Sequence, residues 1–280
     1  IRAQMIKDEK LFKDLDLSSL RMICTGGEPW TEKPWKWLFQ VIGKSKVPIM
    51  NSAGGTEVSG SILHCCLHRP FKVGSFNAPI PGMSADILNL DGKKVSTNEM
   101  GELVMRKSSI GLTKSLWNDD KRYIDNYWSV IKDYWVHGDL ASRDADGHWY
   151  LHGRSDDTIK VSGKRIGPSE LESVIVKSGK AKEVAAVGIP DANKGSKIIL
   201  SIVPAENNDQ KESFFEDLVI KDLGKSFKPD KVIFVKDLPK TRNMKIMRRV
   251  IKSCLANQDP GDLSTLLNPE SVEEIRSHAI

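Results

Sequence analysis

The chain has 280 residues, 39% hydrophobic and 28% charged, a balance that suits a soluble globular protein of roughly two domains. Lys+Arg 42 against Asp+Glu 37 leaves a net charge of +5, with the basic residues scattered rather than blocked. That describes a solvated surface with some attraction for a polyanionic small molecule, ahead of nucleic acid. The lack of any apolar run of about 18 residues rules out a membrane-spanning helix, and no signal peptide is expected.

The first residue is Ile1, and the opening stretch reads as helix then strand, so the chain is expected to begin inside a fold. Residues 19–27 are a short apolar run ending in glycines, predicted as a buried strand that runs into a loop. Pro29 and Pro34 precede a predicted helix with Trp35, Trp37, Leu38 and Val41 at helical spacing. Val47 to Met50 reads as a second strand, closed by a turn-rich stretch from Asn51 to Gly60. Strand, helix, strand, loop is a parallel α/β pattern, in which ligands sit at the carboxyl ends of the strands.

From residue 61 to 155 the rhythm changes. Met83–Leu90, Glu102–Met105, Tyr134–His137 and His148–His152 are predicted strands, with turns at Asp91-Gly92 and Asp146-Gly147. Their spacing predicts a small β-barrel or sandwich. Arg154 to Lys160 reads as a linker. Beyond it, Pro168 opens a helix, Val184–Ile189 and Lys197–Val203 are strands, and Phe214–Leu223 is a helix. Lys231–Val235 is a further strand and Ile246–Leu255 a last helix. The expected organisation is therefore α/β over 1–60, β-barrel-like over 61–155 and α+β over 156–280.

Several chemistries find no support. No two glycines are separated by a single residue, so the dinucleotide fingerprint is absent. Gly224-Lys225-Ser226 resembles the end of a phosphate loop, but Val219 stands where its first glycine belongs. His64 and His68 lack the intervening Glu of a zinc helix, and no Gly-x-Ser-x-Gly elbow occurs. Cys24, Cys65, Cys66 and Cys254 form no Cys-x-x-Cys and read as reduced thiols, which fits a cytoplasmic protein.

Four stretches carry positive information: Gly27-Glu28-Pro29, the run from Asn51 to Glu57, the long run from Tyr134 to Glu172, and the run from Pro239 to Arg249. Alone, each has a plainer reading: a turn, a loop with an exposed Glu, an Asp–Arg surface pair, a solvated Lys at a helix start. In this order and spacing they resemble the acyl-adenylate-forming superfamily, in its acetyl-CoA-synthetase-like branch. The resemblance covers essentially the whole chain. It implies the end of a large N-terminal domain followed by a small, mobile C-terminal α+β domain.

The resemblance also implies roles. Gly27, Glu28 and Pro29 would contact adenine, with Asn51 and Ser52 also at the nucleotide. The Thr56 hydroxyl would meet a phosphate oxygen, and Glu57 would offer a hard oxygen ligand to Mg²⁺, which needs few protein carboxylates. Asp139 would accept both hydroxyls of a ribose diol, and Arg154 would reach the ribose or the α-phosphate. Asp156 matches the family's hinge, beyond which the C-terminal domain rotates between two poses. Ser162 and Gly163 would line the CoA path, and Arg165 would contact the nucleotide phosphate.

Lys245 matches the catalytic lysine. A cation within about 4 Å of the transferring oxygens is worth on the order of 4 kcal/mol at an effective dielectric near 20, roughly a thousandfold in rate. Two departures stand out: Asn243-Met244 replaces the usual Ser-Gly before the lysine, and Ile220, with Lys221 beside it, replaces a CoA-phosphate arginine. Gly26 and Gly54 stand where a Val and a Trp floor the acetate pocket. Either they open it to a larger acid (propionate, a branched or hydroxy acid, a medium chain) or they serve a turn. ATP, CoA and a carboxylic acid are the implied ligands, and the loop for the β- and γ-phosphates is expected upstream of these residues. The chain is then part of a synthetase, a subunit completed by a separate N-terminal chain, or a non-catalytic nucleotide-binding module.

Overall fold

In a computed structural model of the protein, residues 12, 15–27, 29–30, 32–206 and 209–280 are described. Two compact units divide the chain, Ile1–Ser155 and Asp156–Ile280. All seven Trp and all four Tyr fall in the first of them.

In the first unit, strand β1 (Ile23–Gly26) pairs in parallel with β2 (Ile49–Gly55) through helix α1 (Glu32–Trp37) and a π-helical turn (Leu38–Ile42). The expected helix is thus present, but its second half widens. β2 extends beyond the predicted strand, because Asn51 and Ser52 continue the pairing with β1 and Ser52–Gly55 pairs antiparallel with β3 (Gly60–His64) instead of forming a loop. That pairing has a bulge between Ala53 and Gly54. A two-residue strand, β4 (Ala78–Pro79), completes a four-stranded sheet.

Four further strands form an antiparallel meander: β5 (Ala85–Leu88), β6 (Gly101–Met105), β7 (Trp135–Arg143) and β8 (Trp149–Arg154). A short helix, α2 (Asp120–Tyr123), and a second π-helical turn (Ile124–Trp128) separate β6 from β7. Among the described residues this is an open sheet, not the barrel expected from strand spacing. The physical reason lies at the edges: β8 meets the first sheet through one bridge, Phe76 to Trp149, and no ladder joins β5 back to β1. Between the sheets pack Val58, Ile62, Leu63, Phe76, Leu103, Met105, Tyr123, Trp135 and Trp149.

Residues 155–158 belong to no strand, and a hairpin takes up the last two residues of the expected linker: β9 (Ile159–Val161) and β10 (Lys164–Ile166). The two-residue turn Ser162-Gly163 has positive φ at both positions, 49° and 81°, the twist-compatible geometry for a tight hairpin. Helix α3 (Pro168–Lys177) follows, and Glu170 Oε1 accepts the Gly167 N–H at 3.0 Å to close its first turn. A three-stranded sheet then carries β11 (Ala181–Asp191), β12 (Gly195–Pro204) and β13 (Lys231–Phe234), antiparallel then parallel.

The near-continuous apolar run of β12 is explained by burial on both faces. Ile198, Leu200 and Ile202 face Leu171 and Ile175 of α3 and Phe215 and Val219 of α4 (Glu212–Leu223). Ile199 and Val203 face Val250, Ile251 and Leu255 of α5 (Arg248–Leu255), with Val272 and Ile275 of α6 (Glu270–Arg276). The tail helix α6 carried no distinct sequence signal, since its short apolar stripe spans only about two turns.

Candidate active site

Parallel pairing of β1 and β2 sets Thr25 opposite Asn51 and Gly26 opposite Ser52. The residue before Gly27 therefore lies beside Ser52 of the Asn51–Glu57 run. Ser52 Oγ donates to the Thr25 carbonyl at 3.2 Å, and Trp30 Nε1 donates to Thr25 Oγ1 at 2.9 Å. Asn51 is 2% exposed, its Nδ2 donating to the Gly74 carbonyl at 3.5 Å. Gly27 (φ 101°) and Pro29 lie in the loop after β1; Glu28 lies outside the described residues.

Past β2 the chain makes one 3₁₀ turn, Thr56–Val58, with Thr56 exposed and Glu57 half-buried. Glu57 is held twice. Its carbonyl accepts the Thr113 N–H at 2.7 Å, and its Oε1 accepts the Tyr127 hydroxyl at 3.0 Å. A Cβ added at Gly55 would stand 2.8 Å from Glu57 Oε2 and 3.3 Å from His137 Cε1, so carboxylate and imidazole flank that glycine. Burial, then the Glu57 carboxylate, push the Tyr127 phenol up to about 12.

Asp139 lies inside β7 rather than after a strand, in register with Arg154 of β8. His137 Nε2 is 3.3 Å from Asp139 Oδ2, and Arg154 Nη1 is 3.8 Å from Oδ1 while donating to the His137 carbonyl at 3.0 Å. Gly138 makes this fit. Its φ of 82° is in the left-handed region, and a Cβ there would meet the Arg154 guanidinium at 2.7–3.2 Å. The structure thus brings together Glu57, Asp139 and Arg154 and adds His137 and Tyr127, which sequence reasoning missed. For His137 the signal was available, two residues before Asp139 on the same strand face.

The two glycines assigned to the acyl pocket behave otherwise. A Cβ at Gly26 would meet the Ser52 carbonyl oxygen at 2.8 Å, and one at Gly54 would meet the Gly60 oxygen at 2.1 Å and Ser61 Cα at 2.5 Å. Backbone approach at the β1–β2 pair and at the β2–β3 bulge is by itself a sufficient reason for both glycines, the second of the two readings given above.

A metal would find one carboxylate here, not a cage. Among the described residues no group of three or more His, Cys, Asp or Glu is placed to hold an ion. Glu57 Oε2 has no hydrogen-bond or ion-pair partner among the described residues. That donor set fits Mg²⁺, which keeps several waters and takes one or two carboxylates besides substrate oxygens.

In the second unit, Asp156, Gly163 and Arg165 are exposed, as is Lys221 on α4. Ser162 donates its N–H to the Lys194 carbonyl at 2.8 Å. Lys245 is exposed on a tight hairpin closed by the bridge Lys240–Ile246, three residues before α5 rather than at its start. Thr241 donates its N–H to the Lys245 carbonyl at 2.9 Å, and Thr241 Oγ1 accepts the Lys245 N–H at 3.2 Å. Met244, in place of the usual glycine, takes φ 64° in the same turn. Below, Arg248 makes a two-pronged pair with Glu172 of α3, Nε to Oε1 at 2.9 Å and Nη2 to Oε2 at 2.8 Å. Glu172 Oε1 also accepts the Ala186 N–H at 3.0 Å.

The chain belongs to the AMP-binding enzyme family: residues 2–117 match the AMP-binding enzyme domain and residues 170–245 its C-terminal domain. Its relatives within the family include acetyl-coenzyme A synthetases. It is 37% identical over 270 residues to an acetyl-coenzyme A synthetase of Methanothrix soehngenii, covering 93% of this chain and 40% of the relative. A Helicobacter pylori acetyl-coenzyme A synthetase is 38% identical over 291 residues, covering 99% and 44%. The chain thus spans less than half the length of the curated relatives it matches. Among solved structures, the acetoacetyl-CoA synthetase of Streptomyces lividans matches in fold, with a TM-score of 0.83 at 23% identity, covering 99% of this chain and 44% of that one. An anthranilate CoA ligase in complex with anthranoyl-AMP matches with a TM-score of 0.71 at 27% identity, covering 88% and 46%. Among the described residues, no helix is long and apolar enough to cross a membrane.

Proposed function

We propose that the chain carries the ribose-binding, metal-binding and catalytic-lysine portions of an AMP-forming acid–CoA ligase. In the complete reaction a carboxylate oxygen attacks the α-phosphorus of ATP and pyrophosphate leaves. The CoA thiol then attacks the acyl carbon, giving the thioester and AMP. Both steps depend on placement and charge stabilisation, with no covalent enzyme intermediate.

The observation that supports this best is the convergence of Glu57, His137, Asp139 and Arg154 beside Gly55, in a chain whose C-terminal unit presents Lys245 on a turn. Asp139 and Arg154 serve the ribose and α-phosphate, with adenine against Gly27, Glu28 and Pro29 beside Asn51 and Ser52. Thr56 and Glu57 serve phosphate and Mg²⁺. Asp156 is the pivot about which the second unit rotates. In one pose Lys245 and Arg165 face the phosphate; in the other Ser162, Gly163 and Lys221 face CoA.

The acid is a small carboxylic acid, in keeping with relatives named acetyl-coenzyme A synthetase. The loop for the β- and γ-phosphates falls to residues outside these 280, on the same polypeptide or on a partner chain. The chain by itself therefore binds AMP but does not cleave ATP.

Calorimetric titration with AMP tests this. Binding is expected for the wild type and at least about tenfold weaker for Asp139→Asn, which loses a charge-assisted acceptor for the ribose hydroxyls. No binding, or binding indifferent to Asp139, refutes the site; acid-dependent ATP cleavage by the isolated chain refutes the division of labour.

A further inference from the structure

We propose that Tyr127 is a positioning residue that confines Glu57 to one-oxygen metal coordination and so selects Mg²⁺ over Ca²⁺. The proposal rests on reading Glu57 as the metal ligand and deepens it.

The two oxygens of Glu57 are inequivalent. Oε1 is engaged by the Tyr127 hydroxyl at 3.0 Å, whereas Oε2 lies over Gly55 with no partner among the described residues. A carboxylate with one oxygen committed to a hydrogen bond offers the other to an ion. Ca²⁺ commonly takes both oxygens of a carboxylate within a flexible shell of 6–8 ligands. Mg²⁺ demands a compact octahedron and is content with one. A donor held against Oε1 therefore penalises the larger ion and leaves the smaller one untouched.

Such selection needs a donor that cannot drift, and the surroundings of Tyr127 hold it. Its ring stacks on Trp135, centroids 5.2 Å apart and planes 6° from parallel, and Trp135 is 1% exposed. On its other side Tyr123 lies 5.5 Å away, one helical turn earlier. The Tyr123 hydroxyl donates to the Thr113 carbonyl at 2.6 Å, and the Thr113 N–H donates to the Glu57 carbonyl at 2.7 Å. Two tyrosines on one turn thus fix the backbone and the side chain of the same glutamate.

The test is calorimetric titration of Mg²⁺ and of Ca²⁺ into the AMP-saturated full chain, for wild type, Tyr127→Phe and Glu57→Gln. Tyr127→Phe keeps the ring and its stacking on Trp135, and unchanged indole emission verifies that. It is expected to raise the Ca²⁺-to-Mg²⁺ affinity ratio about tenfold by freeing Oε1, while Glu57→Gln removes binding of both ions. A ratio within about twofold of wild type, with binding still dependent on Glu57, overturns the role of Tyr127 and leaves the metal reading standing. Absence of metal binding, or binding untouched by Glu57→Gln, overturns the metal reading itself and the inference with it.

Discussion

Replacing Lys240 by Met perturbs the base of the Lys245 hairpin through a single buried charge. The Lys240 side chain is 7% exposed, and its Nζ lies 2.6 Å from Glu183 Oε2 and 2.5 Å from Asp237 Oδ1. Burial alone would lower its pKa, but the two carboxylates outweigh it and hold the ammonium above its ordinary value. Removing that cation leaves two carboxylates within about 5 Å of each other, a repulsion of about 3 kcal/mol at an effective dielectric of 20. Glu183 and Asp237 are 23% and 43% exposed, so water screens part of it. The expected loss is about 2–3 kcal/mol, below the 3–5 typical of breaking a fully buried pair. Urea unfolding followed by far-ultraviolet circular dichroism measures it. Because the folded ammonium is raised, the stabilisation is fully present at neutral pH and is lost only as pH rises through that raised value. Adding Glu183→Gln to Lys240→Met should recover most of the loss, since the repulsion needs both charges and one partner is then neutral. A loss below about 0.5 kcal/mol, or no recovery in the double variant, refutes the charge argument and leaves side-chain packing as the cause.

Gly138→Ala should cost about 1–2 kcal/mol for an alanine at φ 82° and push Arg154 off the His137 carbonyl; AMP titration should show weaker binding. Gly54→Ala should destabilise the first unit by more than about 2 kcal/mol in thermal unfolding, because its Cβ would meet the Gly60 carbonyl oxygen at 2.1 Å. Burial alone would raise the Asp144 carboxyl, but Lys72, the His148 N–H and Tyr150 hold it at about 2. Its contribution is present above the ordinary carboxylate range and lost as pH falls towards 2, so the melting temperatures of wild type and Asp144→Asn should converge on acidification. The gap at neutral pH should be about 1 kcal/mol, since Lys72 is 37% exposed.

What could be read from the residues alone follows from what each feature depends on. Strand β12 was legible because Lys197 to Val203 is a short, nearly all apolar run. The family resemblance on which Asp139, Arg154 and Lys245 were singled out was legible because their neighbours form long specific runs. The strand character of Asn51–Gly55 was hidden, since glycines show no inside–outside alternation and it arises from pairing with β1 and β3. Gly26 and Gly54 left two readings open for a related reason: a missing side chain marks space for a ligand or for a neighbouring backbone, and sequence does not show where the partner strand runs. Tyr127 was out of reach because its partner is 70 positions away across the first unit.

The placement of every indole and phenol before residue 151 has a practical consequence. Intrinsic emission reports on the N-terminal unit alone, while peptide-bond dichroism sums over both. Unfolding curves recorded by the two signals will superimpose only when the units lose their structure together. Separation of the curves therefore gives a label-free gauge of how independently the lysine-bearing unit melts.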